Sequence, residues 1–193
     1  DQEESILLLF PNAPYENQRE ILFLKETSEH IAIWEGEKLT KERAFEVSGI
    51  KTVYWLQDFE KILNEMMSYS EIMYINTNEH YRASVDTETR EARFVKWWKE
   101  KYPAHQVAKS NTILQRLRSV KESEEIDLIQ HACDITERGF RRLLSFVKPN
   151  VTEYEIEAEL IHEFIRNRSK GFAYTPIIAS GNNANVLHYI ENN

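Results

Sequence analysis

The first half of the chain alternates short strand-favouring runs with amphipathic helical patterns, and this alternation limits the folds it can adopt. The strand-like runs are residues 5–10, 20–25, 51–55 and 71–75. The helical patterns cover residues 40–47, 58–67 and 87–102. The first run is continuously apolar, which predicts a strand buried on both faces. Strands that alternate with helices predict an α/β layer with a partly parallel sheet.

A charged stretch, residues 112–125, is interpreted as the joint between two domains. We therefore expect an N-terminal α/β domain over residues 1–115 and a second domain over residues 116–193. After the joint, apolar residues recur at helical spacing along one face. The residues of this predicted face are Ile126, Ile129, Cys133, Phe140, Leu144 and Val147. Cys133 is accordingly interpreted as a core residue and not as a nucleophile.

A second helix is predicted up to about Arg168. Thr152 and Glu155 have the spacing of a capping box, which favours a helix start at this point. The side chains expected to be buried are Ile156, Leu160, Ile161 and Phe164. Carboxylates alternate with other residues along the helix and are interpreted as a solvated face, not as an acid/base pair. They are Glu153, Glu155, Glu157 and Glu159.

Composition argues against several kinds of partner. The net charge is −8 and the isoelectric point is about 5.4, which disfavours nucleic-acid binding through a basic face. A single cysteine allows neither an intrachain disulfide nor a cysteine-based zinc site. No apolar run reaches membrane-spanning length and no signal-peptide pattern is present. We expect a cytoplasmic protein without membrane contact, although the start at Asp1 leaves a removed leader or a truncated chain open.

The common catalytic motifs are missing from the sequence. It has no G-x-S-x-G, P-loop or dinucleotide fingerprint. His162 and Glu163 begin like the zinc-protease motif H-E-x-x-H, but Arg166 occupies the place of the second histidine. The remaining histidines outside the C-terminal stretch are scattered without a ligand cluster at His30, His80, His105 and His131.

The final stretch, residues 171–193, has the pattern of a β-hairpin. Two strand-favouring runs, residues 172–178 and 186–189, are separated by Ser180, Gly181 and two asparagines. The second run contains His188. A histidine at a fixed place can bind a carbonyl or relay a proton, because its unperturbed pKa is near neutrality. Taken alone, a strand histidine is more often a half-buried structural residue.

The amino-acid sequence of this stretch resembles the catalytic-site segment of aminopeptidases P, the Xaa-Pro aminopeptidases of the M24 pita-bread metallopeptidases. The matching positions are Tyr174, Pro176, Gly181, Asn183, His188, Tyr189, Glu191 and Asn192. The resemblance spans most of the chain, strongly from Leu117 onward and more weakly before it. It implies an N-terminal domain of the creatinase/aminopeptidase P type with a mixed sheet, followed by the start of an α+β pita-bread catalytic domain.

The resemblance also implies an activity and site residues. In the family, the counterpart of His188 binds the substrate near the scissile bond, and that of Tyr174 stands close to the metal centre. Trp34 corresponds to a tryptophan that approaches the cleft, sometimes of a neighbouring subunit, and is otherwise a packed aromatic. Substrates would be peptides with proline at the second position. A homodimer or homotetramer is expected.

The same resemblance implies two divalent metal ions, commonly Mn²⁺, that activate a bridging water. The family's ligands are two aspartates, one histidine and two glutamates, which lie further along the domain than Asn193. No metal ligand is therefore assigned within the chain, and the 193-residue chain alone is predicted to be inactive.

Two alternatives stay open. One is another pita-bread hydrolase, either a prolidase that cleaves dipeptides or a creatinase-like amidinohydrolase without metal. The other is a non-catalytic pita-bread module that binds a peptide or protein. The chain also departs from the family pattern. Glu122 follows Lys121 where a serine is common, and Glu37 and Lys38 replace a frequent arginine pair.

Overall fold

The computed structural model describes residues 3–77 and 86–193. The chain divides into two compact units, unit 1 (Asp1–Leu114) and unit 2 (Gln115–Asn193). In the described ranges, no helix combines the length and the apolar character needed to cross a membrane. His80 lies outside the described residues.

Unit 1 contains a three-stranded mixed sheet, formed by β1 (Ile6–Leu9), β2 (Glu20–Leu24) and β3 (Thr52–Trp55). The central strand β2 is antiparallel to β1, with Leu8 opposite Ile21. It is parallel to β3, with Phe23 opposite Tyr54. A two-stranded parallel sheet pairs β4 (Ile72–Ile75) with β5 (Gln106–Lys109). The pairing confirms the partly parallel sheet. The sequence patterns missed β5, whose four residues include Gln106 and Lys109 and show no apolar run.

The helices of unit 1 include α1 (Glu29–Glu35), α2 (Lys41–Ser48), α3 (Phe59–Met67) and α4 (Arg90–Lys101). Helix α5 (Asn111–Ser119) spans the boundary of the two units. Thr40 caps α2, because its hydroxyl accepts a hydrogen bond from the Arg43 amide at 3.2 Å. Gly49 ends α2 in the left-handed region at φ 74°, which glycine adopts without steric cost.

The core of unit 1 lies between the sheets and helices α3 and α4. Its buried side chains are Leu8, Ile21, Phe23, Phe59, Leu63, Met66, Met67, Ile75 and Trp98. Phe59 packs edge-on against Phe23, with 5.2 Å between ring centroids. One sequence expectation is wrong in this core. Leu8 is buried, but Leu7 and Leu9 are exposed, because β1 is an edge strand covered on one face only.

Unit 2 is built on two helices, α6 (Ser123–Phe146) and α7 (Glu153–Arg166), which pack against each other. Gly139 of α6 permits their close approach, since an added Cβ would lie 3.1 Å from Leu160 and 3.1 Å from Phe164. Thr152 and Glu155 form the predicted capping box, with the Thr152 amide donating to the Glu155 carboxylate at 2.8 Å.

The predicted apolar face of α6 is not buried within the described residues. Helix α7 covers the face that includes Ile135 and Gly139 instead. The exposed apolar side chains are Ile126, Ile129, Phe140, Leu144 and Val147. Cys133 lies on the same face and is exposed, so its interpretation as a core residue is wrong in this structure. On α7, Ile161 is also exposed, contrary to expectation.

The predicted hairpin over residues 171–193 does not form. This segment contains a short 3₁₀ helix, Gly181–Asn185, and turns, with no strand assigned among its residues. Hydrogen bonds from side chains replace the expected ladder. Asn192 accepts from the Ile178 amide at 3.0 Å and donates to the Pro176 carbonyl at 3.3 Å. Pro176 itself has no amide hydrogen to offer a partner strand.

Candidate functional site

Helix α7 holds the C-terminal segment through a buried carboxylate, that of Glu153. Only 2% of this residue is exposed. Its Oε1 accepts from the Ser180 amide at 2.6 Å and from the Ser180 hydroxyl at 3.0 Å. The Asn183 side-chain amide donates to both carboxylate oxygens, at 3.2 and 3.3 Å. The interpretation of Glu153 as part of a solvated face is therefore wrong.

Tyr189 extends this set of contacts. Its hydroxyl accepts from the Asn183 side chain at 3.0 Å and from the Asn193 amide at 3.1 Å. Through Asn183, Glu153 thus links residues on both sides of the turn that carries His188. We call Glu153, Ser180, Asn183 and Tyr189 the Glu153 cluster.

A second contact lies one helical turn further along α7. Asn192, which is 3% exposed, donates to the Glu157 carboxylate at 2.8 Å. Glu153 and Glu157 are four residues apart, so their side chains share one face of the helix. The final residues of the segment are consequently fixed to α7 at two points.

Hydrogen bonding overcomes burial in setting the pKa of Glu153. Burial by itself raises the pKa of a carboxyl group. Donation from the Ser180 amide, and from the Tyr189, Asn183 and Ser180 side chains, outweighs burial and lowers the pKa of Glu153 below its ordinary value. The carboxylate is therefore charged at neutral pH. For Tyr189, donation from the Asn193 amide favours the phenolate, but burial and the nearby carboxylates of Glu153 and Glu191 raise its pKa.

His188 lies in a turn between two members of the Glu153 cluster, Asn183 and Tyr189. Its side chain is exposed, and its backbone adopts the left-handed conformation at φ 57°. This conformation is uncommon for a residue other than glycine, and it persists where surrounding contacts enforce it. The structure thus presents an imidazole at a constrained position on the surface of unit 2.

The other two predicted site residues are also exposed. Tyr174 precedes Pro176 in unit 2 and is 77% exposed, and Trp34 in α1 of unit 1 is 78% exposed. Their proposed roles stay predictions. His162 is exposed on α7, and Arg166 follows it one turn later.

The described residues contain no group of three or more His, Cys, Asp or Glu side chains that could hold a metal ion. The residues present in these ranges therefore do not fit a metal centre. The imidazole of His188 can still donate a hydrogen bond or carry a proton, since neither role requires a metal ligand beside it.

Sequence reasoning missed Glu153 although one signal was present. The apolar positions Ile156, Leu160 and Phe164 mark the inner face of α7. Extending their spacing by three residues towards the N-terminus reaches Glu153, so this residue shares the inner face. Nothing in the sequence, however, indicates which amides the carboxylate would bind.

Both parts of the chain match known families. Residues 1–74 match the aminopeptidase P N-terminal domain, and residues 127–193 match metallopeptidase family M24. An Xaa-Pro aminopeptidase from Haemophilus influenzae is 27% identical over 175 residues, covering 91% of this chain and 38% of that protein. The chain thus spans well under half the length of this relative.

Solved structures agree with these matches. A Bacillus anthracis protein classed as an aminopeptidase P superimposes with a TM-score of 0.81 at 31% identity, over 90% of this chain and 41% of the other. A zinc-substituted Escherichia coli aminopeptidase P in complex with product gives a TM-score of 0.75 at 24% identity, over 90% of this chain and 40% of the other. Together these matches support an aminopeptidase P of the M24 metallopeptidases, and the fold is that of the family's N-terminal domain followed by the start of the pita-bread domain.

Proposed function

We propose that this chain is part of a metal-dependent aminopeptidase that removes an N-terminal residue preceding proline. The name of the Haemophilus influenzae relative supports this substrate class. The observation that carries the proposal is the presentation of His188, which is exposed in a left-handed turn beside the Glu153 cluster. A surface histidine without a role would not require a supporting set of contacts centred on a buried carboxylate.

His188 is assigned to substrate binding. As a hydrogen-bond donor, its imidazole can bind the carbonyl oxygen of the bond to be cleaved. It can also relay a proton, because an imidazole has one nitrogen that donates and one that accepts. Tyr174 is proposed to support His188 in substrate binding, and Trp34 is proposed as an aromatic contact for the peptide.

For the complete protein, the proposal includes a metal centre. Two divalent ions, with Mn²⁺ as the first choice, would need ligands outside the described residues, since those residues hold no suitable cluster. The E. coli structure similar to this chain carried zinc by substitution. A homodimer or homotetramer and a cytoplasmic location complete the proposal.

The test is the release of the N-terminal residue from an Xaa-Pro-Yaa tripeptide by protein from the complete reading frame. We expect release with Mn²⁺ and loss of release with a chelator. Cleavage restricted to Xaa-Pro dipeptides would favour a prolidase. A folded protein that binds the peptide without cleaving it would favour the binding module.

The first variant to test is His188→Ala. We expect kcat/KM to fall by roughly 10²-fold or more, the range for loss of a positioned acid or base, with little change in the melting temperature. His162→Ala is the matched control, because His162 is an exposed histidine on α7. Equal activity of the two variants would contradict the assignment of His188 to the site.

A further inference from the structure

We propose that Glu153 is a positioning residue for His188, because its carboxylate binds Ser180 and Asn183 before the turn that carries the imidazole and, through Asn183, holds Tyr189 after it. The inference rests on the proposed function for its catalytic consequence. Its structural part, the dependence of the His188 turn on Glu153, stands on the contacts of unit 2 alone. Glu153 would act through Ser180, Asn183 and Tyr189 and would not touch the substrate itself.

The first step is that the Glu153 carboxylate makes its hydrogen bonds with the C-terminal segment. It accepts from the Ser180 amide at 2.6 Å, from the Ser180 hydroxyl at 3.0 Å and from the Asn183 side chain at 3.2 and 3.3 Å. These hydrogen bonds of the buried carboxylate thus all go to Ser180 and Asn183 of the C-terminal segment. A glutamate that only capped α7 would have bound amides of its own helix.

The second step concerns the position of these contacts relative to His188. Asn183 lies before the turn and contacts Glu153, and Tyr189 immediately follows His188. The Asn183 side chain also donates to the Tyr189 hydroxyl at 3.0 Å, so the residue after His188 is joined to the same set of contacts. The left-handed φ of 57° at His188 is unfavourable for this residue type and needs surrounding contacts to enforce it. The Glu153 cluster provides contacts at both ends.

The third step is that the segment has a separate attachment to α7. Asn192 donates to Glu157 at 2.8 Å and also binds the backbone at Pro176 and Ile178. Loss of the Glu153 contacts would therefore loosen residues 180–189 without releasing residue 192. This makes a local effect at His188 separable from unfolding of the whole segment.

Glu153→Gln is the informative variant, with Glu159→Gln as its matched control. Glutamine keeps the size of the side chain but places donor hydrogens against the Asn183 amide, where the wild type has an acceptor. Glu159 lies on the same helix and pairs with Arg142 of α6. Its substitution removes one part-buried contact of unit 2 and leaves the Glu153 cluster intact.

The first experiment is NMR on the 193-residue chain, which requires no activity. In Glu153→Gln we expect the Ser180 amide to lose part of its hydrogen-exchange protection, because a neutral amide oxygen is a weaker acceptor than a carboxylate. We also expect residues 184–189 to gain fast motion and the His188 ring signals to move towards those of an unstructured histidine. Glu159→Gln should leave all three as in the wild type. Unchanged signals in Glu153→Gln, or equal changes in both variants, would overturn the proposal.

The second experiment is a double-mutant cycle in protein from the complete reading frame, with Mn²⁺ and a tripeptide substrate. If Glu153 acts by placing His188, Glu153→Gln should lower kcat/KM by roughly 10-fold to 100-fold, the range for a small misplacement. The same change in a His188→Ala background should have almost no further effect. Full additivity of the two losses would overturn the positioning role.

The two experiments separate the failure of each proposal. Absence of peptide release by the wild-type protein would refute the proposed function, and the NMR comparison would then decide whether Glu153 orders the turn. Release that is unaffected by Glu153→Gln, alongside a disordered turn, would show that the turn does not limit catalysis and would overturn the positioning role.

Discussion

At the scale of single residues, the chain shows how a buried charge can organise a segment that lacks regular structure. Glu153, Glu163 and Asn192 are the polar residues buried in the described part of the chain, and all three belong to unit 2. Glu163 is approached by Arg142 at 4.0 Å and by the Asn167 side chain at 2.8 Å. Buried polar groups are tolerated when their hydrogen bonds are made, and these are made within unit 2.

The lowered pKa of Glu153 predicts an acid-sensitive C-terminal segment. The ordinary value is near 4.5 and the folded value is lower. Stability from this carboxylate is therefore complete above the unfolded pKa and is lost as the pH falls through the folded pKa. The groups around it do not reverse the sign, because the pKa of Tyr189 is raised and Glu191 is a second acid.

We expect the melting temperature of the chain to fall more steeply between pH 5 and pH 3, roughly the window in which carboxylates titrate, than it does in Glu153→Gln. Circular dichroism at a series of pH values measures this difference. Glu155 retains its own acid sensitivity in both proteins, because the Thr152 amide lowers its pKa as well. Parallel pH profiles of wild type and variant would contradict the assignment of a charged Glu153.

At the scale of elements, the sequence predicted those defined by local patterns. Helices α2, α3 and α7 and strand β2 lie within a few residues of their expected positions, because caps, glycine stops and apolar spacing define them. Residues 171–193 were mispredicted as a hairpin. Their strand-like composition is overridden by contacts from α7 and from Asn192, which no local pattern encodes.

The wrong prediction of a buried apolar face on α6 has the same cause, since burial of a face depends on long-range contacts. Apolar spacing predicts that a face will be buried, but it does not identify the covering element. In the described residues α7 packs on the face of Ile135 and Gly139, so the predicted face remains exposed. The candidate site follows this rule as well: the motif predicts His188, whereas no motif predicts Glu153, which depends on long-range contacts.

The close packing of α6 on α7 at Gly139 gives a prediction at this scale. The first carbon of a side chain there would already lie 3.1 Å from both Leu160 and Phe164. We expect Gly139→Leu to destabilise unit 2 by about 1–3 kcal/mol, as for overpacked cores. Arg138→Leu, at an exposed neighbouring position of α6, is the control. Urea unfolding measures both, and equal stabilities would show that the helices separate without cost.

At the scale of the whole molecule, the two units are stabilised by different means. The apolar core residues, apart from Ile135, lie in unit 1, where α3 and α4 cover the sheets. Unit 2 has exposed apolar side chains along α6 and depends on the packing of two helices and on buried polar contacts. A substitution should therefore act on stability through the contacts of its own unit.

Leu63→Ala tests this division. Leu63 is fully buried in the core of unit 1, and truncation of such a leucine costs about 2–5 kcal/mol. We expect the backbone amides of β2 and β3 to lose hydrogen-exchange protection accordingly. The Ser180 amide, whose acceptor Glu153 belongs to unit 2, should keep its protection. Val47→Ala, at an exposed position of α2, provides the control. If Leu63→Ala lowered protection at Ser180 as much as in β2, the chain would unfold as one cooperative body. Stability of the His188 turn would then depend on the core of unit 1, and the effects of Glu153→Gln would have to be measured against that shared stability.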